Sequence, residues 1–222
     1  MSDFALSRLN MVESQIRPSD VTDRRISRTM LALPREEFVP APLKPICYMD
    51  QDLILPPSRG SDRRFLLAPR ALAKLIQALE VNDDSVVLDL GCATGYSAAV
   101  LSRLAGTVFA VESDPALAET ASKLLERLEI SNVQVTTGPL GSGLPKDGPF
   151  DAILINGTVG HVPAELLDQL KDSARLVAVL TGDGVGHATR WLRVGSRYTQ
   201  AALFDASAPA LSEFAEETGF VF

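Results

Sequence analysis

The run VVLDLGCATGYS at residues 86–97 constrains this chain more than any other stretch. Five residues of buried-strand character end at Leu90. Gly91 and Gly95 then bracket a tight loop, and an apolar helical pattern follows over residues 97–104. Glycine at such places lets backbone N–H groups approach a ligand with no Cβ in the way. A strand, a glycine turn and a helix in this order belong to a sheet of parallel strands, which binds ligands at the carboxyl ends of its strands.

The pattern around this run agrees. Strand-like segments at 107–111, 133–137, 150–155 and 175–180 alternate with helical ones at 115–128 and 163–170, the mark of a mostly parallel α/β sheet with helices on both faces. Leu72, Leu75, Ile76 and Leu79 form one helical stripe ahead of the first strand. Residues 190–194 and 198–204, joined by Gly195-Ser196, predict a C-terminal antiparallel hairpin at the sheet edge, with Trp191 as its apolar cover. Earlier, Val12, Ile16, Ile26, Met30 and Leu33 recur at helix-like spacing broken by Pro18, which gives two short helices hinged at 17–20, the second capped by Asp20 or Thr22. Six prolines between Pro34 and Pro57 make residues 33–60 an extended arm. The expected division is an N-terminal helical and proline-rich arm, 1–67, over a ligand-binding domain, 68–222. The tail joins an acidic turn at 213–217 to an apolar end, Phe220 to Phe222, expected to dock on its own sheet.

Composition narrows the function classes. Two cysteines and two histidines supply neither a disulfide framework nor a zinc set, so no metal is expected. A formal charge of −7 opposes a phosphate backbone. Arg59, Arg63, Arg64 and Arg70 are the best basic patch and read as a solvated face, so no nucleic acid partner is expected. No run of apolar residues is long enough to span a bilayer and the polar start lacks a signal peptide's core, so the expectation is a cytoplasmic protein with no membrane association.

A second strand ends in Glu112 about 20 residues after the loop, where an acid of a βαβ unit hydrogen-bonds a ribose diol. The alternative is a purely structural turn. Three residues separate the glycines, unlike the G-x-G-x-x-G of dinucleotide sites, and Asp89 sits inside the strand. Cys92 reads as a packing residue and His161 as a solvent-facing one.

The D-L-G-x-x-x-G-Y pattern resembles class I S-adenosylmethionine-dependent methyltransferases, with a Rossmann-like sheet. By that resemblance Asp89 serves the methionine end of S-adenosyl-L-methionine, Gly91, Cys92, Gly95 and Tyr96 form the loop against it, and Glu112 with Ser113 holds the ribose. The order of ALPREEFVP, VLDLGCATGYSAAVLSRL, GPFDAILIN and LLDQLKDSARLVAVL is similar to the protein-L-isoaspartate O-methyltransferase family over almost the whole chain. The resemblance implies methyl transfer to the side carboxylate of an isoaspartyl residue in a protein or peptide substrate, and an arm that covers the site. It departs in three places. Phe65 and Leu67, in RRFLLAP, stand where the family carries Thr and Ser of G-Q-T-I-S-Q-P. Pro139 replaces the acid after the third strand, leaving Gly138, Pro139 and Leu140 to line the adenine pocket. Ala93 replaces a middle glycine, a change a loop tolerates at negative φ. With the hydroxyls absent, Arg63, Arg64 and Ser61 are the candidates to grip the substrate carboxylate, against a reading of the arginines as rim charges. A cofactor-binding regulatory homologue and a methyltransferase for another acceptor stay open, as do monomer and homodimer.

Overall fold

The computed structural model describes residues 3–56, 63–181 and 185–215. Helix α1 (Phe4–Met11) runs into a π-helical turn at Val12–Ile16, where the Arg17 amide reaches back five residues to the Val12 carbonyl. Helix α2 (Arg24–Ala32) is capped by Asp23, whose side chain accepts from the Arg25 amide, and not by Asp20 or Thr22. Asp20 instead takes φ +60°, and its carbonyl accepts from the Gln77 amide side chain, which shows why the hinge needs a residue tolerant of the left-handed region. The proline-rich arm is less extended than its sequence implies. Short 3-10 turns form in it at Arg35–Phe38, behind Pro34, and at Ala41–Ile46, where Pro40 and Pro42 preset φ for the turn start and need no amide donor there.

Strands β1 (Leu53–Ile54) and β2 (Phe65–Leu66) pair antiparallel and lead to α3 (Pro69–Leu79), whose stripe Leu72, Leu75, Ile76 and Leu79 is fully buried. The main sheet follows: β3 (Val86–Leu90), α4 (Tyr96–Leu101), β4 (Thr107–Glu112), α5 (Pro115–Arg127), β5 (Val133–Thr137), β6 (Phe150–Val159), α6 (Ala164–Leu167), β7 (Leu170–Leu180), β8 (His187–Val194) and β9 (Arg197–Asp205). Its order is β5-β4-β3-β6-β7-β8-β9, parallel through β7 and antiparallel for the last two strands. The helix expected at 163–170 shrinks to four residues, since Leu170 already pairs with Phe150 at the start of β7.

The strand order reverses between β3 and β6. Beyond their carboxyl ends lies the crevice where such sheets hold ligands. One continuous apolar core joins the arm to the sheet, from Met11 and Ile16 through Phe38 to Leu88, Ile153 and Val177. Three polar ties reinforce it. Thr94 Oγ1 donates to the Phe38 carbonyl (2.6 Å), and the fully buried Arg35 donates to the carbonyls of Cys47 and Leu67 (both 2.7 Å). The chain after β9 returns across β6. The Thr158 amide donates to the Pro209 carbonyl, and the Leu211 amide to the Thr158 carbonyl (both 2.9 Å). The tail thus docks on its own sheet as far as residue 215; Phe220 to Phe222 lie outside the described residues.

Candidate functional site

The glycine loop hangs from the sheet by its own amides. Gly91 N–H donates to the Val111 carbonyl (2.9 Å), and Gly95 N–H closes the turn onto the Cys92 carbonyl (2.8 Å). Gly91 and Gly95 take φ of +72° and +93°, and a Cβ on Gly95 would stand 3.1 Å from the Ala121 Cβ of α5, so the second glycine also allows helix and loop to meet. Ala93 has φ +51°, against the expectation of a negative value. That left-handed conformation aims the Ala93 amide at Glu112 Oε2 (2.8 Å) and thereby couples the loop to the end of β4.

Asp89 and Glu112 are both fully buried, yet each oxygen is accounted for. Asp89 accepts from Ser97 Oγ of α4 (2.7 Å) and from Asn156 Nδ2 of β6 (2.6 Å). It therefore straddles the reversal of strand order as an internal anchor. Burial raises its carboxyl to about 6, offset in part by these two hydrogen bonds and raised further by the Glu112 charge. Glu112 Oε1 accepts from Arg64 Nε (2.9 Å) and the Asp114 amide (3.0 Å). Arg64 is 4% exposed and not a rim charge; its Nη2 reaches Glu213 (2.8 Å) and the Ser113 hydroxyl. Of the other candidates for the substrate carboxylate, Arg63 is exposed beside it and Ser61 lies outside the described residues, as does Arg59 of the basic patch. Arg70 pairs with Asp50 (3.0 Å).

The remaining loop residues face inward. Cys92 is buried and its thiol is pushed well above the usual range by desolvation, so it packs and does not act as a nucleophile. Tyr96 is buried under the Arg35 guanidinium (4.7 Å to the ring centroid) and edge-on to Phe38 (5.3 Å). Leu140, after Pro139, is buried above Gly91, and the Gly138 amide donates to the Glu112 carbonyl (3.1 Å). His161 is exposed and Trp191 is buried, as their sequence contexts imply. Phe65, Leu66, Leu67 and Leu72 wall a cavity of about 10 Å³ against Gly91, Cys92, Tyr96, Ser97 and Asn156, room for about one water.

The sequence profile described as Protein-L-isoaspartate(D-aspartate) O-methyltransferase matches residues 7–193. The chain belongs to that family. A Protein-L-isoaspartate O-methyltransferase of Koribacter versatilis is 36% identical over 177 residues, covering 80% of this chain and 78% of its own length. One from Roseiflexus castenholzii is 37% identical over 203 residues, covering 91% and 90%. Among solved structures, a protein-L-isoaspartate O-methyltransferase superposes with a TM-score of 0.81 at 25% identity, over 94% of this chain and 67% of that one. A putative family member from Plasmodium falciparum, in complex with S-adenosyl-L-homocysteine, gives 0.76 at 18% identity over 96% and 100%, a likeness of fold. The family is S-adenosylmethionine-dependent. The residues here fit that group in kind: a loop without Cβ at Gly91 and Gly95, an acid closing β4, and Leu140 packed over Gly91.

Asn156, Ser97, Leu211 and Glu213 escape the sequence reading. Asn156 had a signal, a polar residue ending an apolar strand next to Asp89. Glu213 had none, because its partner Arg64 is 149 residues away.

Proposed function

We propose that the chain is a cytoplasmic S-adenosylmethionine-dependent carboxyl O-methyltransferase that acts on isoaspartyl residues of proteins and peptides. One observation carries this reading: the glycine loop and Glu112 lie side by side at the carboxyl ends of β3 and β4, joined through the Ala93 amide, in a chain that the family profile matches over residues 7–193.

Bound there, the cofactor supplies an electrophilic methyl group on a sulfonium. Glu112 would hold its ribose, the loop at Gly91 and Gly95 would pass close to it with no Cβ in the way, and Gly138 and Leu140 would line its base. The acceptor carboxylate is ionised at neutral pH and needs no general base, so the chain's task is to position it and exclude water. The buried apolar side chains of Phe65, Leu66, Leu67 and Leu72 would keep bulk water from it. They supply no hydroxyl donors, and two orienting donors fewer cost about 2–4 kcal/mol of barrier, which makes esterification slow relative to members with Thr and Ser. Titrating wild type and Glu112→Gln with S-adenosylhomocysteine tests the site: the variant is expected to bind at least about tenfold more weakly, and equal affinities would refute the role of Glu112.

A further inference from the structure

The groups that the proposed function assigns to the nucleoside are satisfied from within the chain. Glu112 Oε1 holds Arg64, and Arg64 Nη2 holds Glu213 Oε1. The other Glu213 oxygen accepts from the Leu140 amide (2.8 Å), and the Ser113 hydroxyl donates to Oε1 (2.7 Å). The ribose acid and the adenine-side amide are therefore bridged by one guanidinium and one carboxylate from distant parts of the sequence. Leu211 lies on the loop as well: a Cβ on Gly91 would be 3.8 Å from its Cδ1 and 3.5 Å from that of Leu140.

The segment bearing Glu213 is also tied to β6. It pairs with Thr158, and the Gly160 amide donates to the Phe214 carbonyl (2.9 Å). Leu211 also needs Gly157, where a Cβ would stand 2.7 Å from Leu211 Cγ. Arg64 is nearly inaccessible, whereas the Glu213 side chain is 23% exposed, so the outer member is the one able to release first.

We propose that Arg64 and Glu213 form an internal latch that mimics the adenosine contacts and competes with the cofactor for Glu112 and the Leu140 amide. A ribose diol would donate to Glu112 where Arg64 Nε donates, and a base nitrogen would accept from Leu140 where Glu213 accepts. Both pairs cannot be made at once. Cofactor entry then requires residues 209–214 and Arg64 to withdraw, and the affinity is reduced by the fraction of molecules with the latch open. This inference rests on the assignment of Glu112 to the ribose.

The test is calorimetric titration of full-length wild type, Glu213→Gln and Glu213→Ala with S-adenosylhomocysteine, alongside amide hydrogen exchange of the wild type. A latch closed about nine-tenths of the time predicts about tenfold tighter binding by Glu213→Ala, with Glu213→Gln between. It also predicts that saturating ligand accelerates exchange of the Leu211 amide in the wild type, a result that needs no variant. Unchanged or weaker binding by the variants, or full protection of Leu211 at saturation, overturns the latch and leaves the cofactor site standing. No binding by any form, wild type included, removes the ribose role of Glu112 and the competition with it.

Discussion

Asp89→Asn should stabilise the protein at neutral pH and erase part of its pH dependence. The Asp89 carboxyl is raised to about 6 by complete burial, against an unfolded value of ~3.9. An acid raised in the folded state binds its proton more tightly there than in the unfolded chain. Its contribution is thus fully present below about pH 4 and is lost as pH rises through about 6, a total near 3 kcal/mol. Asparagine keeps both contacts: its oxygen accepts from Asn156 Nδ2, and its amide donates to Ser97 Oγ, a hydroxyl that also accepts. The variant therefore avoids the ionisation cost, and at pH 7 a gain of ~1–3 kcal/mol is expected, or roughly 2–12 °C in Tm for a chain of this size. Urea unfolding of both proteins from pH 4 to 8 isolates the effect, because every other carboxylate cancels in the difference. The difference should grow across pH 4–6 and level off above. A flat difference, or a variant less stable at pH 7, would refute the assignment of Asp89 as a buried anchor bearing a desolvation cost.

Three further outcomes are expected. Ala93→Gly relieves a left-handed alanine (φ +51°) and should raise stability by up to about 1 kcal/mol, read by the urea midpoint; a loss would show that the loop gains more from a stiff unfolded chain. Gly95→Ala puts a Cβ 3.1 Å from Ala121 at φ +93° and should cost about 1–3 kcal/mol while loosening the contact of the loop with α5, seen as faster exchange of the Gly91 and Ala93 amides. Cys47 and Cys92 should resist a thiol reagent at pH 8 in the folded protein and react together in urea, since burial raises the Cys47 thiol to about 11 and pushes that of Cys92 well above its usual value; rapid labelling of one in the native state would contradict the packing role.

Local patterns carried most of the architecture. The β5 run begins and ends at the residues its β-branched pattern marks, 133–137, and the edge hairpin turns at Gly195-Ser196, because these signals depend on near neighbours. Asp89, Gly91, Gly95 and Glu112 converge as their spacing implies, since strand, turn and strand fix them along 24 residues of chain. Three features were not legible. The positive φ of Ala93 is imposed by its hydrogen bond to Glu112 across the sheet. Arg64 read either as a grip for the substrate carboxylate or as a rim charge, and only tertiary contacts to Glu112 and Glu213 show it buried in neither role. The arm read as extended because six prolines deny it a regular helix, while the buried Arg35, which ties its 3-10 turns to Cys47 and Leu67, carries no local signal of those partners.

Methyl transfer is tested by incubating the purified protein with an isoaspartyl peptide and S-adenosylmethionine carrying a radiolabelled methyl group, then counting volatile methanol released by base. A base-labile methyl ester is expected on the isoaspartyl peptide, absent from its aspartyl counterpart, formed slowly because Phe65 and Leu67 replace two hydroxyl donors. Cofactor binding with no ester on any isoaspartyl peptide would contradict it and turn the search to another acceptor or a regulatory role.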